Sequence, residues 1–194
     1  MHKFTMEYSY LELIIGPMFS GKTSHLINTH NELQKNNIPS IAINYIDDKR
    51  YSDTMLSSHD KVMIPCFQTK NLFDLENDEK FQGQLNKINT ILINEGQFFE
   101  DLLEFVLKYL EEYKKNIYVC GLDSDFKRNT FGKMLNLIPH ANNIIKLKST
   151  CNSCNKKNAM YSHRITNEDN QIIISSNKYI PLCRNCYLEY NKTI

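Results

Sequence analysis

Residues 16–23 read GPMFSGKT, with Gly16 followed by four residues and then Gly21-Lys22-Thr23, directly after the apolar run LELII at 11–15. This spacing lets a glycine-bounded turn aim its backbone N–H groups at a single anion. A lysine at position 22 reaches the β- and γ-phosphates of a nucleotide, and the Thr23 hydroxyl is placed to ligate Mg²⁺. A helix opening near residue 21 adds its positive end to the same point. The alternative is a chance match in a flexible turn, which the apolar run before it and the helix-capable segment after it argue against. The loop therefore predicts a phosphate site over Gly16, Pro17, Met18, Phe19, Ser20, Gly21, Lys22 and Thr23. It says almost nothing about the reaction.

Two further groups of residues carry chemistry. Glu95 follows the run TILIN (90–94) in NEGQFF, and a carboxylate at the end of a parallel strand lies on the ligand face of the sheet. There it can order Mg²⁺ waters or take a proton from an attacking hydroxyl; the plainer reading is an exposed loop glutamate. Cys151-x-x-Cys154 and Cys183-x-x-Cys186 are separated by 28 residues. Four thiolates in two such knuckles form a closed tetrahedral Zn²⁺ shell with no open position, hence a structural ion. Two redox pairs or incidental buried cysteines are the alternatives. His163 is a substitute ligand only in principle; a surface or hydrogen-bonded ring is the expectation. Cys66 and Cys120 stand alone in apolar surroundings and read as packing.

The elements that must position these groups come from the remaining pattern. LELII, SIAINY (40–45), TILIN, NIYVC (116–120) and NIIKLK (143–148) are continuous apolar runs, which fit buried parallel strands. Helix-capable segments alternate with them, the clearest at 99–114, where Leu102, Leu103, Phe105, Val106 and Leu110 form an apolar face. The expectation is an α/β fold with a mainly parallel sheet flanked by helices. After about residue 149 the texture changes to short strands between the cysteine knuckles. We therefore divide the chain into a nucleotide-binding domain, 1–149, and a zinc-binding module, 150–194.

Composition limits the partners. The 194 residues carry 23 basic and 22 acidic side chains, a formal net charge of +1, without the basic excess that marks nucleic-acid binders. No window approaches the roughly 18 apolar residues of a membrane span, and the opening MHKFTMEYSY lacks the apolar core of a signal peptide. These features predict no nucleic-acid partner, no membrane, and a cytoplasmic location.

Read as an ordered set, these segments resemble the zinc-containing, cellular type of the thymidine kinase family. The resemblance rests on GPMFSGKT at 16–23, DDKRYSD at 47–53, NEGQFF at 94–99, GLDSDFKRNTFG at 121–132, LIPHA at 137–141, KLKSTCNSC at 146–154 and KYIPLCRNCY at 178–187. It implies a P-loop, RecA-like kinase domain followed by a zinc-ribbon module with a lasso loop, about 167–180, that covers the substrate. It also implies transfer of the γ-phosphate of ATP to the 5′-hydroxyl of thymidine, with Mg²⁺ bound to ATP. On this footing Lys22 binds phosphate, Thr23 ligates Mg²⁺, Glu95 is the general base, and Asp48 and Arg50 lie near the phosphates. Met18, Phe98, Leu122, Phe126, Phe131 and Tyr179 enclose the nucleoside, although the phenylalanines alone would read as core packing. A homotetramer inhibited by thymidine triphosphate is implied in the same way.

Two departures from the family pattern stand out. Asn94 replaces the Asp that usually precedes the Glu, which predicts weaker organisation of Mg²⁺. IIISSNKY replaces a glycine-rich run in the lasso, and Ser175 and Ser176 adopt positive φ less freely than glycine. That predicts a different loop path and relaxed discrimination between thymidine and deoxyuridine, since one methyl is worth only about 1–3 kcal/mol. The rival readings are a nucleic-acid-dependent ATPase and a degenerate kinase kept as a nucleotide-binding regulator. The balanced charge opposes the first; the intact Lys22, Thr23 and Glu95 oppose the second.

Overall fold

The computed structural model describes residues 9–48, 55–58 and 61–192. The chain begins with β1 (Leu11–Ile15), α1 (Lys22–Lys35) and β2 (Ser40–Tyr45), then a hairpin of β3 (Met55–Ser57) and β4 (Met63–Pro65). β5 (Phe67–Thr69), α2 (Glu79–Leu85), β6 (Thr90–Ile93), α3 (Leu102–Leu107), β7 (Asn116–Gly121) and β8 (Asn143–Lys146) complete the α/β part. A second hairpin, β9 (Tyr161–Arg164) with β10 (Tyr179–Leu182), and α4 (Arg184–Tyr190) follow.

Six strands form one sheet in the order β5-β2-β6-β7-β1-β8, every pairing parallel. β7 stands between the loop-bearing β1 and the Glu95-bearing β6, as a RecA-like sheet requires. The continuous apolar runs are explained by burial on both faces. Leu11, Leu13, Ile43, Ile91 and Ile93 pack with Phe105 and Tyr109 on one side. Ile14, Ala42, Leu92 and Cys120 pack with Leu26 and Ile27 of α1 on the other.

The helix expected over 99–114 is shorter and divided. Its α-helical part begins only at Leu102, because residues 96–98 form a 3-10 turn in which Phe98 N–H donates to the Glu95 carbonyl. From Lys108 to Glu112 the turns widen to a π-helix. Lys108 Nζ and Tyr109 Oη both donate to Glu76, at 2.8 and 3.0 Å, and these two tethers hold the wide turn.

β1 carries a buried charge inside its apolar run. Glu12 is 1% exposed. Its carboxylate accepts from Tyr10 Oη at 2.7 Å and Asn143 Nδ2 at 2.8 Å, with His25 Nε2 at 3.7 Å. Burial, followed by the Glu12 hydrogen bond, pushes the Tyr10 phenol well above its usual range, and burial with the Glu12 charge takes Tyr118 to about 12. Because the carboxylate serves as acceptor, Glu12→Gln should cost less than about 1 kcal/mol in urea unfolding, whereas Glu12→Ala orphans two donors and should cost about 2–4 kcal/mol.

Candidate active site

The loop after β1 turns sharply at Gly16, whose φ is +150°, and a Cβ there would lie 2.6 Å from the Leu147 carbonyl oxygen. No side chain is compatible with that approach. Gly21 (φ +85°) then leads into α1, and His25 N–H closes the first helical bond on the Gly21 carbonyl at 2.9 Å. Lys22 is 8% exposed and its Nζ donates to the Pro17 carbonyl at 2.7 Å. The lysine thus folds back over its own loop, at the point where an anion's oxygens would compete for it.

Thr23 faces across the sheet. Its Oγ1 donates to Asn94 Oδ1 at 3.2 Å, Cys120 Sγ donates to the same oxygen at 2.9 Å, and Asn94 Nδ2 donates to Asn44 Oδ1 at 2.7 Å. Asn94 is 1% exposed, so this is a buried, uncharged network. Burial pushes the Cys66 thiol up to about 11 and Cys120 up to about 12, with Asp48's charge adding to both and Glu95's to Cys120. Cys66 is a packing group, and Cys120 packs while donating to Asn94.

Met18, Phe19, Ser20, Gly21, Lys22, Thr23 and Glu95 line one cavity with Phe98, Leu122, Phe126, Phe131 and Tyr179. Gly16 and Pro17 form the loop's root rather than the wall. Asp48 lies in the turn after β2, its N–H bonded to the Tyr45 carbonyl at 3.0 Å, and it is outside the wall. Arg50 lies outside the described residues. Phe98 and Phe131 meet edge to face with centroids 5.5 Å apart, so each is both packed and wall-forming. Ile172, Ile173, Ile174, Ser175 and Ser176 close the cavity from above. No described residue between 156 and 192 has positive φ, so this loop passes Ser175 and Ser176 without left-handed backbone.

Several residues that pattern reading missed hold the cavity together. Arg164, 4% exposed, donates to the carbonyls of Glu168, Asn170 and Gln171 and to Tyr179 Oη, and its guanidinium lies 3.7 Å from the Phe126 ring centroid. Asp125 accepts from Gln171 Nε2 at 2.8 Å and from the N–H groups of Lys127 and Asn129. Ser162 Oγ accepts from Met18 N–H at 2.9 Å and Ser149 Oγ donates to the Phe19 carbonyl at 3.0 Å, so the C-terminal hairpin grips the phosphate loop. Gln97 bonds Glu95 directly, Nε2 to Oε2. The one legible signal was the short NEGQFF run itself.

Cys151, Cys154, Cys183 and Cys186 bring four sulfurs within 4.8 Å of one another, with Cys154 and Cys183 3.9 Å apart. A tetrahedral ion with bonds of ~2.3 Å needs sulfurs roughly 3.8 Å apart, so the four thiols fit a metal ion. No other cluster of this kind occurs among the described residues. His163 is not at the surface; it is buried edge-on against Tyr187 and Tyr190, away from the ligand set. Among the described residues no helix is long and apolar enough to cross a membrane.

Comparison with known proteins adds a separate line. The family model described as thymidine kinase matches residues 9–187. A thymidine kinase of sheeppox virus (strain KS-1) is 35% identical over 183 residues, covering 94% of this chain and 98% of the viral protein. One of vaccinia virus (strain Western Reserve) is 36% identical over 185 residues, 95% and 99% of the two chains. One of rice (Oryza sativa subsp. japonica) is 34% identical over 181 residues, 92% of this chain and 66% of the rice protein.

Two outcomes follow from the site's geometry. Asn94→Asp should lower the Mg²⁺ concentration that half-saturates activity several-fold, because a carboxylate there adds charge beside Thr23; identical Mg²⁺ titrations would remove the idea. Stripping metal with a chelator should lower the melting temperature by on the order of 10 °C and raise KM for both substrates, since Ser149 and Ser162 tie the module to the loop. Thermal scans with and without re-added Zn²⁺ check the first effect, and steady-state kinetics the second, which runs through Ser162 of the module and through Ser149, just before it and bridged to Ala159.

Proposed function

Because the chain belongs to the thymidine kinase family, we propose that its phosphate loop presents ATP and its apolar chamber holds thymidine, whose 5′-hydroxyl receives the γ-phosphate. The observation that carries this reading is one cavity lined by Lys22 and Thr23, by Glu95, and by Phe98, Leu122, Phe126, Phe131 and Tyr179. A donor site, a base and a flat apolar slot are thereby contiguous. A chamber with these aromatic walls suits a nucleoside base.

Phosphoryl transfer asks the protein for positioning and charge neutralisation more than for covalent help. Lys22 exchanges the Pro17 carbonyl for phosphate oxygens, and the backbone N–H groups of residues 19–21 cradle them, that of Met18 being held by Ser162. Thr23 would hold the Mg²⁺ bound to ATP, which would supply positive charge at the phosphates. Glu95 takes the 5′-hydroxyl proton as the new O–P bond forms; the γ-phosphorus–oxygen bond breaks and its electron pair leaves on ADP. Phe98, Phe126 and Phe131 wall the base, and Met18 faces it from the donor side. Asp48 and Arg50 belong to the phosphate end in this reading.

Cys151, Cys154, Cys183 and Cys186 would hold Zn²⁺ with no open position, so its part would be structural, fixing the module that carries the lasso. The division into a kinase domain of 1–149 and a module of 150–194 belongs to the same reading. So do a homotetramer, feedback inhibition by thymidine triphosphate, a cytoplasmic site where the free cysteines stay reduced, and the absence of nucleic-acid or membrane partners. The relaxed preference for thymidine over deoxyuridine is part of it as well.

A nucleoside panel with ATP and Mg²⁺ tests the acceptor: thymidine should give the monophosphate, deoxyuridine less of it, and ribonucleosides little. Glu95→Ala should lower kcat by on the order of 10²–10⁴ while thymidine KM moves less than about threefold. Unchanged turnover in that variant would remove Glu95 as the base.

A further inference from the structure

Glu95 occupies left-handed backbone, φ 55° and ψ 41°. A non-glycine residue is held there only when its surroundings over-determine it. One side chain stands out among those surroundings. Gln97, 3% exposed, donates from Nε2 to Glu95 Oε2 at 2.6 Å and accepts the Leu122 backbone N–H on Oε1 at 2.9 Å. The amide has no choice of orientation. A backbone N–H only donates, so the carbonyl end must face Leu122 and the NH₂ end must face the carboxylate.

The space for this amide is built into the sheet. Gly121 ends β7 beside it, and a Cβ at Gly121 would lie 2.5 Å from Gln97 Oε1. Leu122, the next residue, lines the cavity where the acceptor is placed. One buried amide therefore joins the carboxylate to the wall of the acceptor chamber through a chain of two hydrogen bonds.

We propose that Gln97 is the positioning residue of the transfer, fixing the Glu95 carboxylate in register with the Leu122 segment so that base and acceptor hydroxyl are set by a single amide. This rests on the reading of Glu95 as the base. It assigns to residue 97 a role in turnover distinct from packing.

Gln97→Glu separates the two bonds. It keeps an acceptor for Leu122 N–H but sets a second carboxyl against Glu95. At pH 8 the two carboxylates repel, and kcat should fall roughly 10²-fold, the scale of an ångström of misplacement, with thymidine KM within about threefold of wild type. As pH falls the pair takes up one proton. The introduced carboxyl, once protonated, donates as the amide does, so the deficit relative to wild type should narrow at least fivefold by pH 6. Gln97→Met, an uncharged side chain of similar length, loses both bonds; its kcat should fall, its KM should rise, and its deficit should not change with pH. ADP affinity and melting temperature, measured alongside, should stay near wild type in at least one of the two. A Gln97→Glu deficit that is constant across pH, or wild-type kcat in Gln97→Met, would overturn the proposal. Glu95→Ala run in parallel separates the two ideas: turnover surviving in Glu95→Ala sinks the base itself, whereas an inactive Glu95→Ala beside normal Gln97 variants sinks only the positioning role.

Discussion

The parallel pairing of β1 with β7 and of β7 with β6 is the constraint on which the site depends. Ile15 is registered with Gly121, and Ile93 with Val119. This common register brings the loop at 16–23, Glu95 and Leu122 out at the same edge of the sheet. The strands are buried on both faces, so polar groups that must meet a ligand collect where the strands end. Within the α/β part, side-chain bonds from Asn94 and Gln97 brace it further. The site also needs a cover and a grip on the outer side of the loop.

Those come from the C-terminal hairpin and the segment leading to it. Ser162 of the hairpin and Ser149 before it bond the backbone of Met18 and Phe19, and Arg164 gathers the covering loop onto Phe126. The hairpin ends at Cys183, within the sulfur cluster. A metal-binding cluster outside the cavity is thus connected to both ends of the reaction through ordinary hydrogen bonds. Asn94 marks the chain's own variation on this plan. With Asn44 and Cys120 it keeps the Thr23 hydroxyl oriented through uncharged partners, which avoids burying a carboxylate at a position only 1% exposed.

Features with a fixed spacing or a continuous apolar run were legible in the sequence. The phosphate loop, the cysteine knuckles and five of the sheet's strands all fall in that class. The phenylalanines were ambiguous because walling a cavity and packing a core ask for the same side chain, and Phe98 and Phe131 do both. Gln97, Ser149, Ser162 and Arg164 were illegible for a different reason. Their partners are backbone groups, or side chains whose pairing no motif spacing marks, from two residues away for Gln97 and Glu95 to 144 for Ser162 and Met18. Glu12 was hidden inside LELII because its partners Tyr10 and Asn143 come from β1's own flank and from β8. The break in the 99–114 helix followed from tethers to Glu76 that no local periodicity encodes.

Most of the bonds described for the covering loop converge on one planar group. Arg164 supplies the carbonyls of Glu168, Asn170 and Gln171 and the phenol of Tyr179 from a single guanidinium. A loop fastened along its length can peel away residue by residue, each step small. A loop fastened at one rigid fork loses its contacts together, because moving the fork misaligns every bond at once. Taking away that one side chain would therefore free three carbonyls and a phenol together, leaving Gln171 on Asp125 and Asp169 on Lys127 as the ties between this loop and the chamber wall.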